Sequence, residues 1–219
     1  MKQKEFGYGS LLCVLIVEIL PWLLVLAAIF YLLVFVGCTR SNHWNLTAYD
    51  SATWLDSCSG WSACTPFPKV ASGQTLNDLE WPLTSLTLGQ TLSVPFEVTS
   101  TPGTAYAATN GETEPFRLTL MLDRAKDTTG DPTYRFYCTA YAGGEYVLGT
   151  ADNTSQALTC PLESQYWSDV DGRQDQAAFE AVLSRLGSIN VCFGGNGGLC
   201  HGLAVTGAAT INVGEPAVQ

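Results

Sequence analysis

Positive charge is scarce in this chain. Its 219 residues carry 10 lysines and arginines against 20 aspartates and glutamates, a formal net charge of −10. That balance works against nucleic acid and anionic surfaces as ligands, because both are held chiefly by lysine and arginine. Basic proteins, cations and neutral glycans stay open. Histidine is scarcer still: with only His43 and His201, a histidine-based catalytic triad has few ways to form. No Gly-x-Ser-x-Gly elbow is present, which removes the usual α/β-hydrolase nucleophile. No internal repeat is apparent.

What the sequence has in quantity is one long apolar run. From Leu11 to Gly37 the only strongly polar residue is Glu18. As a helix this stretch would measure about 40 Å, more than the hydrocarbon core of a bilayer. A cleavable signal peptide has an apolar region of only about 7–15 residues. The run therefore reads as a single transmembrane helix over 11–37, behind a short cytoplasmic N-terminus over 1–10. Lys2 and Lys4 precede it and Arg40 follows it, a positive-inside bias that leaves the remainder outside the cytoplasm. Cys38, Cys58, Cys64, Cys138, Cys160, Cys192 and Cys200, with sequons at Asn45 and Asn153 as possible glycosylation sites, suit an oxidising compartment.

Inside the run, Val17–Trp22 (VEILPW) sets a carboxylate and a proline where a span should have neither. If Leu20–Val36 fills the hydrocarbon, Glu18 sits at the inner interface, Pro21 falls in the first turn and Trp22 anchors the headgroup level. If Glu18 lies deeper, it needs a partner helix, a cavity or a cation, and Glu18, Pro21 and Trp22 mark an assembly face. Two resemblances attach to the same region. Leu33–Cys38 (LVFVGC) resembles the lipobox of bacterial lipoproteins, with Phe35 where leucine is usual, and implies lipidation of Cys38. The basic leader, Gly9, and an apolar helix bearing Glu18 and Pro21 resemble the N-terminus of type IV pilins. There Glu18 stands nine positions after Gly9 rather than five. That resemblance implies a filament subunit.

Beyond the run the pattern is mainly β. Thr91–Thr99 alternates Leu92, Val94, Phe96 and Val98 with polar neighbours, and Phe116–Leu122 repeats the alternation with Phe116, Leu118, Leu120 and Leu122. Further strands are expected at Tyr134–Tyr141, Glu145–Leu148, Gln156–Cys160, Ile189–Phe193 and Leu203–Val213, separated by turn signals such as Gly143-Gly144 and Asp152-Asn153. Such a series predicts an antiparallel β-sandwich over 91–219. One segment differs: Ser168–Gly187 places Phe179, Val182, Leu183 and Leu186 on one helical stripe, with Gly187 where a C-terminal cap belongs. It predicts one amphipathic helix packed on the sandwich. Residues 38–90 form a membrane-proximal region rich in Ser, Thr, Trp and Pro. Its aromatics, Trp44, Tyr49, Trp54, Trp61 and Trp81, supply a small disulfide-braced core, an interfacial belt or a protein contact surface.

Seven extracytoplasmic cysteines cannot all pair within one chain. Cys38, emerging from the bilayer, is the odd one: free, lipidated or intermolecular. The other six allow fifteen connectivities, and proximity favours Cys58–Cys64, Cys138–Cys160 and Cys192–Cys200. In Cys192–Cys200 (CFGGNGGLC) a turn centred on Asn196 would set the two sulfurs face to face. The glycines lack the lysine and following helix of a phosphate loop. Zinc held by Cys192, Cys200 and His201 is the weaker expectation beside a disulfide.

Other candidates for chemistry are acidic. Asp169–Asp175 (DVDGRQD) has glycine at the fourth rather than the sixth position of a calcium loop and reads as the start of the helix. Asp123, Asp127 and Asp131 surround a turn that reads as a solvated acidic loop, with loose calcium binding as the alternative. Glu163, Asp169, Asp171 and Glu180 are the carboxylates from which a glycosidase pair would have to come. The expectation is a non-catalytic single-pass membrane protein without metal or cofactor, in contact with membrane lipid. It would be a structural or accessory subunit of an assembly made through its transmembrane helix and membrane-proximal aromatics. A surface receptor or adhesin for a protein or glycan, a pilin-like subunit and a carboxylate-pair hydrolase are the alternatives.

Overall fold

The computed structural model describes residues 44–47, 61–108, 111–125, 134–149, 153–196 and 200–219. The expected span with Glu18, Pro21 and Trp22, and also Cys38, Tyr49, Trp54 and Cys58, lie outside these residues. Among the described residues no helix is long and apolar enough to cross a membrane. All of them belong to one unit, Asn42–Gln219.

Alternation of side chains decides the architecture. The strand β4 (Thr91–Ser100) buries Leu92, Val94, Phe96 and Val98 completely while the residues between them stay half exposed, the mark of a strand with one face on a core. It pairs along its length with β9 (Asn153–Pro161) and, on its other edge, with β13 (Ala209–Val213) and then β14 (Ala217–Val218). The strand β2 (Ala63–Pro66) completes this five-stranded sheet beside β13.

Opposite lies a seven-stranded sheet built around two long strands, β6 (Thr113–Arg124) and β11 (Leu186–Asn196). Beyond β11 come β3 (Asp78–Pro82) and β1 (Asn45–Thr47). The other edge of β6 is shared by β7 (Arg135–Cys138) and β8 (Glu145–Val147), and β10 (Trp167–Ser168) pairs with β7. Every pairing between these strands is antiparallel. A two-stranded ribbon joins β5 (Tyr106–Ala107) and β12 (Ala204–Val205). The inward rows of both sheets, among them Leu118, Leu120, Leu122, Ile189, Val191 and Phe193 against Phe96, Leu158 and Ile211, merge into one apolar core. The result is sandwich-like.

Residues from the stretch 38–90 take part in both sheets. Trp44 and Trp81 are buried edge-to-face at 5.4 Å, and the Trp44 indole N–H donates to the Gly214 carbonyl at 2.9 Å. These two rings are core, whereas Trp61 is partly exposed.

The helix α1 is shorter than the stripe suggests, Gln176–Ser184, with Asp175 accepting from the Ala178 N–H as its cap. Phe179 stacks on Trp167 and meets Phe136 edge-on, closing the core at the β7–β10 edge. Two sequence expectations are corrected here. Leu186 and Gly187 belong to β11 and Arg185 is the C-terminal cap, because β11 gains ladder bonds with β6 by starting there. Gly187 is needed for close approach: a Cβ there would lie 2.7 Å from the Ala125 backbone. Of the segment Asp169–Asp175 only Asp175 starts the helix, as its cap, while the residues before it form a turn of their own. There Asp169 accepts from the N–H groups of Asp171 and Arg173, and Gly172 takes φ 78°. The expected strand Leu203–Val213 is divided into β12 and β13.

Two disulfides favoured by proximity are present. Cys138–Cys160 joins β7 to β9 and so ties the two sheets together through the core. Cys192–Cys200 closes a short loop on the outward face of β11. Its turn is not centred on Asn196 as expected: β11 continues through Asn196, still paired with Thr113 of β6. Cys64 is also disulfide-bonded, its partner lying outside the described residues.

Candidate functional site

The outward face of the seven-stranded sheet is polar. Strand registers set its side chains in rows: Pro82–Ser188–Asp123–Arg135, then Glu80–Asn190–Met121–Tyr137–Ser168, then Asp78–Cys192–Thr119–Glu145. Because side chains on directly opposed residues project to the same side, these residues form a continuous lattice on rigid strands. A cleft of about 750 Å³ opens over its β6–β7–β8 end, lined by Arg117, Arg135, Tyr137, Glu145, Ser168, Asp169, His201 and their neighbours.

Every strand-borne cation of the cleft has its own carboxylate. Arg117 on β6 donates to Glu145 on β8 at 3.0 Å, and Arg135 on β7 donates from Nε to Asp123 on β6 at 3.2 Å. The Arg135 guanidinium also lies over the Tyr134 ring, 4.6 Å from its centre, a cation–π contact. On the third wall His201 Nδ1 meets Glu112 at 2.6 Å, while the other Glu112 oxygen accepts from the Gly195 N–H at 2.7 Å. Thr139 and Ser168 share a hydroxyl–hydroxyl bond at the rim.

A small apolar cluster holds the His201 wall in place. The Met121 sulfur packs against both sulfurs of the Cys192–Cys200 bridge, at 3.6 and 3.7 Å, beside Tyr137. The bridge thus pins the chain at Cys200 to the sheet, one residue before His201. Zinc bound by Cys192, Cys200 and His201 is overturned, since a disulfide offers no thiolate. Among the described residues no group of three or more His, Cys, Asp or Glu is placed to hold a metal ion.

Burial dominates the electrostatics. Desolvation pushes the Asp78 carboxyl up to about 7, against the pull of Arg135 and with Glu80 and Asp123 adding to the rise. Asp123 is raised too, its burial outweighing its bond to Arg135. The Tyr137 phenol is likewise pushed up by burial, with Arg135 opposing.

The carboxylates singled out in the sequence have other partners. Glu163 accepts from Gln165, Glu180 from Gln176, Asp171 pairs with Arg173 at 3.2 Å, and Asp169 is spent on its own turn. Asp123 bonds Arg135, while Asp127 and Asp131 lie outside the described residues. The sequons fall in strands, Asn45 in β1 and Asn153 at the start of β9. The residues that build the cleft, Arg117, Arg135, Tyr137 and Glu145, were not singled out. Their one sequence signal is the polar half of each alternating strand, such as Arg117 and Thr119 among Phe116, Leu118 and Leu120 of β6.

No family model and no curated protein matches this chain. Among solved structures it is similar to a mutant of Xylanase10C from Cellvibrio japonicus in complex with xylopentaose. There the TM-score is 0.34 with 12% identity, over 81% of this chain and 27% of that one. It is also similar to the xylan-binding module CBM15, TM-score 0.31 with 12% identity, over 79% of this chain and 92% of that one.

Proposed function

We propose that this chain is a non-catalytic binding protein, tethered to a membrane through residues 11–37, whose sandwich displays the outward cleft of the seven-stranded sheet to a neutral glycan. The observation that carries the reading is the pairing inside the cleft. Arg117, Arg135 and His201 each meet a carboxylate, so the site offers dense hydrogen-bonding capacity without a net positive centre. Planar charged groups fixed by strands and by each other lose little freedom on binding, which is what a polyhydroxylated ligand of modest contact area requires. A phosphate or sulfate would have to compete with a resident carboxylate for every cation. The net charge of −10 opposes such ligands at longer range.

This reading prefers a surface receptor or adhesin to a structural subunit, and moves the contact from the sandwich loops to a sheet face. Its test is a glycan array probed with the detergent-solubilised full chain. Retention on neutral glycans that is lost in Arg135→Ala supports it. Retention on none, or on anionic glycans alone, opposes it.

A further inference from the structure

At the Arg117–Glu145 pair, and one strand position along the same face from Arg117, two buried hydrogen-bonding atoms are unmet. Thr119 is fully buried, faces outward on β6 between Arg117 and Met121, and stands opposite Glu145 in the ladder. Among the described residues its Oγ1 has no hydrogen-bond partner, and neither has Nε of Arg117, which is also shielded from solvent. A buried hydroxyl without a partner costs free energy, and a valine of nearly the same shape would fill the position without that cost. Two orphaned polar atoms on residues two apart on the same face of β6, one of them on the Arg117 that lines the cleft, call for a common explanation.

We infer that Arg117, Thr119 and Glu145 form a subsite for one hydroxyl of a neutral saccharide, an inference that rests on the glycan reading of the cleft. A hydroxyl is both donor and acceptor. On binding, the hydroxyl parts the Arg117–Glu145 contact: its oxygen accepts from Arg117 Nε and from the Thr119 hydroxyl, while its proton goes to Glu145. A carboxylate or sulfate oxygen satisfies the two donors but faces the Glu145 charge with no proton to give. The subsite therefore selects sugar hydroxyls over uronate or sulfate groups at the same place.

The experiment is affinity electrophoresis of the full chain in detergent, through gels containing soluble β-glucan, mannan, xylan or polygalacturonate, with thermal melts of the same samples. Thr119→Val should melt no lower than wild type and bind its neutral polysaccharide about tenfold more weakly, the scale of one lost hydrogen bond in a buried site. Thr119→Ser should retain binding. Arg117→Lys, which keeps the charge but lacks Nε, should weaken binding like Thr119→Val. Equal affinity in Thr119→Val would overturn the subsite, leaving the two atoms to a resident water, while the glycan reading survived. Wild-type retardation by polygalacturonate in preference to the neutral gels would overturn the hydroxyl selectivity. Retardation by none of the four would remove the glycan reading itself and the subsite with it.

Discussion

Arg117 on β6 and Glu145 on β8 meet at 3.0 Å across the outward face of the seven-stranded sheet, each about one-fifth exposed. Glu145→Gln keeps the shape and an acceptor but leaves the guanidinium without its counter-charge. Stability should change by about 1 kcal/mol or less, the scale of a partly solvated pair. Ligand preference should change more: weaker retardation by neutral polysaccharide and stronger retardation by polygalacturonate. An unchanged preference in the same gels would separate charge pairing from recognition.

Asp78 gives a pH dependence of defined sign. Its folded pKa is about 7, against about 3.9 in an unfolded chain. Between those values the folded state holds a proton that the unfolded state has lost, so this group's contribution to stability is full below about pH 4 and is lost as pH rises to about 7. Asp123 is shifted in the same direction. Melting temperatures at pH 4.5, 6 and 7.5 should fall with pH more steeply in wild type than in Asp78→Asn. A steeper fall in the mutant contradicts the assignment.

Gly187 is the second residue of β11, where the chain passes the Ala125 backbone. A methyl group there, 2.7 Å from the Ala125 Cα, forces the start of β11 away from the end of β6. Gly187→Ala should destabilise by about 1–3 kcal/mol, the usual cost of overpacking. Chemical denaturation measures it, and a neutral result would mean that the two strands separate there at no cost.

The sandwich was legible where one face of a strand is buried. Leu92 to Val98 and Phe116 to Leu122 announce themselves by period two; β4 begins at the expected residue and runs one further, while β6 extends beyond both expected ends. Short strands were not: β2, β10 and β14 have two to four residues, too few to show a period, and their pairing comes from neighbours far away in sequence. The helix was recognised by Phe179, Val182 and Leu183, but its end was misplaced because Leu186 continues the apolar spacing while its backbone joins a ladder. The cleft was illegible for a related reason. Arg117, Thr119, Arg135 and Glu145 come from three strands, and only register, which alternation within one strand does not specify, makes them neighbours.

The Cys192–Cys200 bridge closes a loop with a sequence separation of 8, for which loop-closure entropy predicts about 2.5 kcal/mol. Replacing both cysteines with serine should cost about that much stability, measured by denaturant titration. It should also weaken glycan binding, since Cys200 fixes the wall that carries His201. Full binding in the double mutant would show that this wall takes no part.

The central claim is that the outward face of the seven-stranded sheet is the binding surface, and hydrogen–deuterium exchange of the full chain with and without a saturating neutral polysaccharide tests it most directly. The account predicts added protection in peptides covering 113–124, 134–149 and 200–205, with exchange in β2, β4 and β13 unchanged. Protection confined to the five-stranded sheet would contradict it.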